Sequence, residues 1–258
     1  MNITDRQSKD NDPLGQGIQL AQAFEEATWI HDASSLQASY IPHSWTSINR
    51  KEYRRLPRVD LSGLRSPSQN SELSKVFEHR SSKRQFLPEP IALETLSTML
   101  ATVASTRNEE PPSRVYPSAG LRWPIEWYLA AINVASLEAG VYHYESFDHQ
   151  LETLKIGNPW NELAEALSMQ TIDRPSALLI LTSVFHRSWI KYGIRGSRYA
   201  YLEAGAAAMS LNIVAVEANI GVVWLGGFVD SSISKILDIN WKMELETPVL
   251  CLALGHPI

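Results

Sequence analysis

The spacing of apolar residues separates a weakly patterned N-terminal segment from a strongly patterned remainder. Apolar side chains recur near one helical face within residues 16–35, whereas residues 36–70 mix proline, serine, arginine and aromatics without a period. Residues 1–15 are polar, and their composition predicts disorder. We therefore predict a partly disordered N-terminal arm over residues 1–70, containing one helix, and a single domain over residues 71–258.

Helical and strand patterns alternate irregularly within this domain. Helical spacing predicts helices over residues 73–79, 91–105, 160–169, 198–219 and 231–237. Apolar runs predict strands over residues 125–134, 140–144, 151–156, 177–185, 222–229 and 247–254. The irregular order favours an α+β fold, a mixed central sheet wrapped by helices, over a doubly wound parallel sheet. The fourth helix is apolar around most of its circumference, which is typical of a buried helix at a subunit interface.

Composition excludes several function classes. The 258 residues carry a net charge of −5 without a long Lys/Arg cluster, so we expect no nucleic-acid partner. The single cysteine cannot form an intrachain disulfide, and the scattered histidines show no metal-ligand spacing, so no metal site is expected. There is no signal-peptide pattern, and the apolar run at 204–216 is too short to span a bilayer, which predicts a cytoplasmic protein without membrane contact.

Residues 80–84 form the first segment with candidate chemistry. Arg80 and Arg84 supply guanidiniums that can bind a phosphate bidentately, and the Ser82 hydroxyl adds a hydrogen-bond donor. This set suits a mononucleotide phosphate and the polar edge of a flavin ring. Taken alone, a solvated basic turn is the simpler interpretation.

Two further segments contain small residues where a flat ligand could approach the backbone. Pro117, Ser118 and Ala119 precede Gly120 in a loop that leads directly into a predicted strand. Gly226 and Gly227 lie inside a strand-like run, which indicates a bulge or close approach of a ligand. An ordinary turn and a strand bend remain the alternatives for these two segments.

The fourth segment lies between a buried strand and the long helix. Lys191 and Tyr192 place a cation beside a phenol, and such a pair can supply a base for proton abstraction. Arg195 and Arg198 follow as weaker candidates for phosphate or substrate contacts. Taken alone, a surface stretch whose arginines pair with carboxylates is the simpler interpretation.

Six motifs in this order resemble those of the SagB-type dehydrogenases, a branch of the FMN-dependent nitroreductase superfamily. They are R-x-S-x-R from Arg80, P-S-A-G-x-x-x-P-I-E from Pro117, K-Y-G-x-R-x-x-R-Y from Lys191, E-A-G from Glu203, G-G-F-x-D from Gly226 and L-G-x-P from Leu254. The resemblance covers roughly residues 70–258 and implies a nitroreductase-like fold and a homodimer with FMN at the subunit interface.

The resemblance also implies a role for each candidate residue. Arg80, Ser82 and Arg84 would contact the FMN phosphate and pyrimidine edge, while Pro117, Ser118 and Ala119 would line the isoalloxazine. The backbone at Gly226 and Gly227 would face the reactive centre of the flavin. Lys191 and Tyr192 match the position held to be catalytic in the azoline oxidases.

The chain departs from the family pattern at Arg122 and Trp123, which could reshape the substrate side of the flavin. The expected reaction is oxidation of a thiazoline or oxazoline ring in a peptide or carrier-bound intermediate, with a biosynthetic partner enzyme. Two alternatives remain open: an FMN-dependent reductase that uses NAD(P)H, and a flavin-free scaffold subunit of a peptide-modifying complex.

Overall fold

The computed structural model describes residues 13–32, 55–64, 71–167 and 171–258. Its helices are α1 (Pro13–Thr28), α2 (Glu72–His79), α3 (Leu93–Val103), α4 (Trp160–Ala166), α5 (His186–Tyr192), α6 (Arg195–Glu217), α7 (Asp230–Leu237) and α8 (Trp241–Glu244), with 3₁₀ turns at Ser62–Leu64 and Ala119–Leu121. Its strands are β1 (Ile91–Ala92), β2 (Ile125–Ala131), β3 (Val134–Ala135), β4 (Gly140–Glu145), β5 (Gln150–Ile156), β6 (Ala177–Val184), β7 (Gly221–Leu225) and β8 (Glu246–Gly255).

Six of these strands form one central sheet in the order β5-β4-β2-β6-β8-β7. Every neighbouring pair in this sheet is antiparallel. Within the described residues, parallel pairing is limited to an isolated bridge between Ser82 and Val222 at the β7 edge and to the short β1–β3 pair. The predicted α+β architecture is confirmed, and the parallel component of the predicted mixed sheet is small.

The sheet is buried on both faces because alternate side chains of its central strands enter two different apolar clusters. Leu179 and Leu181 of β6 pack in the cluster that includes α3 and α6. Leu178 and Ile180 pack on the opposite face, in the cluster that includes α4 and α7. Full burial of one such side chain contributes about 2 kcal/mol, so this strand is a major source of stability.

Helix α6 is buried along one face only. Its buried residues recur every three or four positions, from Gly196 to Ala215. Leu202 on another face is 71% exposed. Among the described helices, α6 is the one with the length and apolar composition to cross a membrane, a weak criterion that core helices also meet, and 44% of its most apolar window is buried. Within one chain a single stripe of α6 is therefore buried, and burial of the other face at a subunit interface stays a prediction.

Helix α1 packs beside α5, α6 and α8. Ala21 joins an aromatic cluster with Phe185, Trp189 and Trp241, and the backbone N–H of Ile30 donates to the Asp230 carboxylate at 2.7 Å. The helix was predicted over residues 16–35, but it ends at Thr28, and residues 33–35 lie outside the described residues. The predicted disorder and extended arm also fall largely outside the described residues.

Candidate active site

The loop between Pro117 and Trp123 has an unusual backbone. Gly120, Leu121 and Trp123 all have positive φ values, of 62°, 56° and 47°, and only glycine adopts this region without strain. The Trp123 N–H donates to Ser118 Oγ at 2.9 Å, which closes the loop on itself. The loop therefore has a defined shape before β2 begins.

Lys191 and Tyr192 lie against this loop. A Cβ atom built at Gly120 would come within 2.6 Å of Lys191 Nζ and would also overlap the Tyr192 hydroxyl. Lys191 Nζ lies 5.4 Å from the centroid of the Tyr192 ring, and the edge of the Tyr192 ring contacts Tyr199. The structure thus brings together two segments, about seventy residues apart in sequence, that were predicted to line the flavin and to supply the base.

The short helix α5 holds this pair in place. Phe185 and Trp189 stack at 5.2 Å inside the protein, and Trp189 Nε1 donates to Ser197 Oγ at 2.9 Å. A Cβ at Gly196 would lie 2.9 Å from the Ser188 carbonyl carbon, so the close approach of α5 to α6 requires glycine there. The sequence patterns did not predict α5, because only Ser188 and Trp189 of its seven residues are buried and no apolar stripe marks the helix.

An ion-pair network, also unforeseen, fixes the end of the loop. Arg187 Nη1 donates to the Trp123 carbonyl at 2.8 Å and pairs with Glu126 at 2.5 Å. His143 lies 3.5 Å from Glu126 and 2.7 Å from Glu152. Burial acts to raise the pKa of Glu126, but its bond to His143 and the Arg187 charge outweigh burial and lower that pKa. The hydrogen bond to Glu126 raises the pKa of His143.

Buried polar side chains lie beneath the loop. Arg114 donates to the Tyr116 hydroxyl at 2.9 Å, to the Ile125 carbonyl at 3.1 Å and to Ser146 Oγ at 2.9 Å. Its guanidinium also stacks over the Trp123 ring at 5.4 Å. Trp123 therefore packs inward against the protein, whereas Arg122 is exposed and donates from Nε to the Arg187 carbonyl at 3.0 Å.

Glu203 also lies beneath the loop. Its side chain is buried, and neither carboxylate oxygen has a hydrogen-bond partner. Burial raises the pKa of Glu203 to about 7, although the nearby Ser118 hydroxyl and the charges of Arg114 and Arg187 act to lower it. Sequence reasoning placed Glu203 in a motif without giving it a role; the available signal was one carboxylate at the start of a long apolar run.

Arg195 and Arg198 lie at the start of α6, directly after the helix that carries Lys191 and Tyr192. Both are exposed in the first turn of α6, and the Arg195 guanidinium lies 5.9 Å from the Tyr199 ring. They accompany Lys191 and Tyr192 and lie far from residues 80–84 of the same chain, at the opposite end of α6 from the cleft that Lys83 lines.

Residues 80–84 lie beside β7, at the other end of the sheet. The Lys83 N–H donates to the Val222 carbonyl at 3.0 Å, and Gly221 packs against the Lys83 side chain. Ser82 and Arg84 are exposed. A cleft of about 410 Å³ opens here between α2 and α6, lined in part by Ser81 and Lys83.

Gly226 and Gly227 follow β7. The strand ends at Leu225, so the predicted position of the glycines inside a strand is wrong. The apolar pattern continues because Phe228 enters the core after the chain leaves the sheet. A Cβ at Gly226 would meet no atom within 4 Å, which leaves its backbone approachable.

The two groups of candidate residues lie far apart in one chain. The 117–123 loop leads into Ile125, which is level with Ser183 and Thr247 across β6 and β8, whereas Val222 pairs with Leu254. Thr247 and Leu254 are seven residues apart on β8, or roughly 23 Å at 3.3 Å per residue. The described residues contain no cluster of His, Cys, Asp or Glu that could hold a metal ion.

Fold and motifs together define an oxidoreductase of the nitroreductase type. The nitroreductase family profile matches residues 77–256, and the chain belongs to this family. Its members typically depend on a flavin.

Two curated relatives make the relationship more specific. The protein MJ1384 of Methanocaldococcus jannaschii, named as a nitroreductase, is 31% identical over 188 residues, which cover 72% of this chain and 92% of the relative. The microcin B17-processing protein McbC of Escherichia coli is 30% identical over 162 residues, which cover 59% of this chain and 58% of McbC. The resemblance to the SagB-type branch is confirmed.

A solved structure extends the similarity to nearly the whole fold. A chain of the E. coli microcin synthetase McbBCD complex, with truncated pro-MccB17 bound, matches with a TM-score of 0.74 and 20% identity. The match covers 99% of this chain and 97% of that chain.

Proposed function

We propose that this protein is an FMN-dependent oxidoreductase that oxidises a thiazoline or oxazoline ring in a peptide or carrier-bound intermediate. The observation that carries the proposal is the contact of Lys191 and Tyr192 with the bare face of Gly120. This contact places a candidate base at the loop expected to line the flavin. The relationship to McbC supports a peptide-processing role.

The residues present fit FMN. Arg80, Ser82 and Arg84 would hold the phosphate and pyrimidine edge, since guanidiniums and hydroxyls are suitable ligands and two of the three are exposed. The approachable backbone at Gly226, followed by Gly227, would face the ring. Val222, which bridges Ser82, is four residues before Gly226, or roughly 13 Å along the chain, a span that one mononucleotide can bridge. Bound FMN would supply the acceptor for a hydride, with dioxygen as the final oxidant.

The side chains of this protein would position the azoline ring and remove its proton. Lys191 Nζ or the Tyr192 hydroxyl takes the proton from the ring carbon, while the hydride leaves from the neighbouring atom and the ring becomes aromatic. The exposed Arg122 is the better placed of the two unusual loop residues to contact the substrate.

We further propose a homodimer in which each flavin site uses both copies. The phosphate-binding candidates and the 117–123 loop lie roughly 23 Å apart along the strands and three strands apart across the sheet, farther than one mononucleotide reaches. The exposed Leu202 and the half-buried Met209 and Ile213 leave an apolar surface on α6 that a second copy would cover. The second copy would thereby bring its loop to the phosphate-binding segment of the first.

A peptide or carrier-protein substrate and a biosynthetic partner enzyme are part of the proposal, because a chain of similar fold occurs in the McbBCD complex with a bound precursor. We also propose that the protein acts in the cytoplasm. Neither a nucleic acid nor a membrane is required by this reaction.

The test is anaerobic mixing of the FMN-loaded protein with a thiazoline-containing peptide, followed by the flavin absorbance. The proposal expects bleaching, slowed roughly 10²- to 10⁴-fold in Lys191→Ala or Tyr192→Phe, as for loss of a general base. The variant with the larger loss identifies the base. The exposed Lys242→Ala serves as a matched control and should bleach normally.

Other outcomes would contradict the proposal in different ways. Bleaching by NAD(P)H but not by azolines would make the protein a reductase. A protein that takes up no FMN would support the scaffold role instead.

A further inference from the structure

The burial of the Glu203 carboxylate is electrostatically unfavourable. The residue is only 3% exposed, and both of its carboxylate oxygens are buried without a hydrogen-bond partner. Burying a carboxylate without partners is costly, so such a residue is expected to have a neighbour that relieves it or a role that retains it.

The groups facing Glu203 come from three neighbouring parts of the chain. Arg114 and Tyr116 approach from the segment before the loop, Ser118 from the loop itself and Arg187 from α5. The two arginines influence Glu203 only through their charge, because neither forms an ion pair with it. Ser118 is the neighbour whose hydroxyl acts to lower the pKa of Glu203 by hydrogen bonding.

The Ser118 hydroxyl accepts a hydrogen bond, and its own hydrogen remains to be donated. Its oxygen accepts the Trp123 N–H at 2.9 Å, which leaves its own hydrogen available. A hydroxyl in this position can link the loop backbone to a carboxylate beneath it.

We propose that Glu203 is a positioning residue that holds the 117–123 loop through Ser118, tightly when ionised and weakly when protonated. The ionised carboxylate accepts the Ser118 hydroxyl in a charge-assisted hydrogen bond, which orients the Ser118 oxygen toward the Trp123 N–H. Protonation weakens that bond and loosens the loop on which Lys191 and Tyr192 rest.

The neutral pH range is where this change would occur, because burial raises the pKa of Glu203 to about 7. The consequence for catalysis rests on the proposed function: if the loop lines FMN, the affinity for FMN should rise with pH through the same range. The effect on the loop itself exists with or without a flavin.

The experiment measures hydrogen exchange of the Trp123 amide in the full-length protein between pH 5.5 and 8.5, expressed relative to the intrinsic exchange rate. We expect protection to rise roughly fivefold with a midpoint near pH 7, as a neutral hydrogen bond is replaced by a charge-assisted one. The rise should be absent in Glu203→Gln, which cannot ionise, and in Ser118→Ala, which lacks the hydroxyl.

Glu217→Gln, an exposed carboxylate on the same helix, is the matched control and should retain the rise. A rise that persists in Glu203→Gln, or a flat profile in the unmodified protein, would overturn the proposal. FMN titrations at the same pH values complete the test. Failure to bind FMN would contradict the proposed function alone, since the exchange profile still decides the role of Glu203.

Discussion

At the start of β2, the 117–123 loop rests on buried polar side chains, whereas residues 80–84 at the far end of the sheet lie largely open beside β7. Arg114 in the first region makes three short hydrogen bonds and is 8% exposed. Ser82 and Arg84 in the second are exposed, and Arg84 makes no side-chain hydrogen bond among the described residues. Hydrogen bonds fix the geometry of the 117–123 region, whereas residues 80–84 keep hydrogen-bond donors available for a ligand.

This difference matches the work proposed for each region. Groups that take part in proton transfer must be held within a fraction of an ångström, which requires packing and supporting hydrogen bonds. Groups that bind a phosphate need unpaired donors and can adjust to the ligand. Substitutions around the 117–123 loop should therefore change the reaction rate or the stability, whereas substitutions in residues 80–84 should change the affinity for FMN.

The largest expected effect concerns the charge buried under the loop. The pKa of Glu203 is raised from 4.5 to about 7, so between these values the unfolded chain has lost a proton that the folded protein keeps. Raising the pH therefore favours unfolding, and Glu203→Gln should become more stable relative to the unmodified protein by about 3 kcal/mol between pH 4.5 and 8. Urea titrations across this range measure it, and a stability difference that does not change with pH would argue against a raised pKa for the buried Glu203.

Gly120→Ala should disturb catalysis without disturbing cofactor binding at the other region. The new Cβ would overlap Lys191 and Tyr192, and displacement of catalytic groups by about 1 Å can cost roughly 100-fold in rate. Gly157→Ala is the control for backbone strain, because Gly157 also has a positive φ but has open space around it. Equal losses of single-turnover rate in both variants would show that the contact with Lys191 and Tyr192 is unimportant.

Arg114→Met should reduce the stability of the protein, because Arg114 lies among the buried side chains that support the 117–123 loop. The methionine keeps much of the volume but loses three short hydrogen bonds and a longer one to Thr106, which we expect to lower the free energy of unfolding by about 2 kcal/mol. The exposed Arg107→Met should change it by less than about 0.5 kcal/mol. Thermal or urea unfolding distinguishes these results, and similar values for both would contradict the comparison.

The smallest effect is expected in the open region. Arg84→Ala should weaken FMN binding roughly 10-fold through loss of a charged hydrogen bond, while stability and the rate at saturating FMN stay unchanged. Flavin fluorescence titration gives the affinity, with the exposed Lys235→Ala as a control. Unfolding of the Arg84 variant would mean that this arginine supports the fold.

Local pattern was a reliable guide where an element was long or buried on both faces. The continuous apolar run of β6 and the spacing of α6 predicted both elements close to their observed bounds. The short helix α5 was not predicted, because its two buried residues, Ser188 and Trp189, form no apolar period along the chain. The end of β7 was misplaced because Phe228 is apolar for a reason outside the strand, namely its packing against the core.

The sequence by itself determined the family and the α+β architecture, and it supplied the candidate site residues. Only the tertiary structure placed Lys191 and Tyr192 against Gly120, put residues 80–84 at the opposite end of the sheet and left Glu203 buried without a partner. The physical reason is that an alternating or helical pattern tells which face of an element is buried. Which elements become neighbours is decided by pairing between distant parts of the chain.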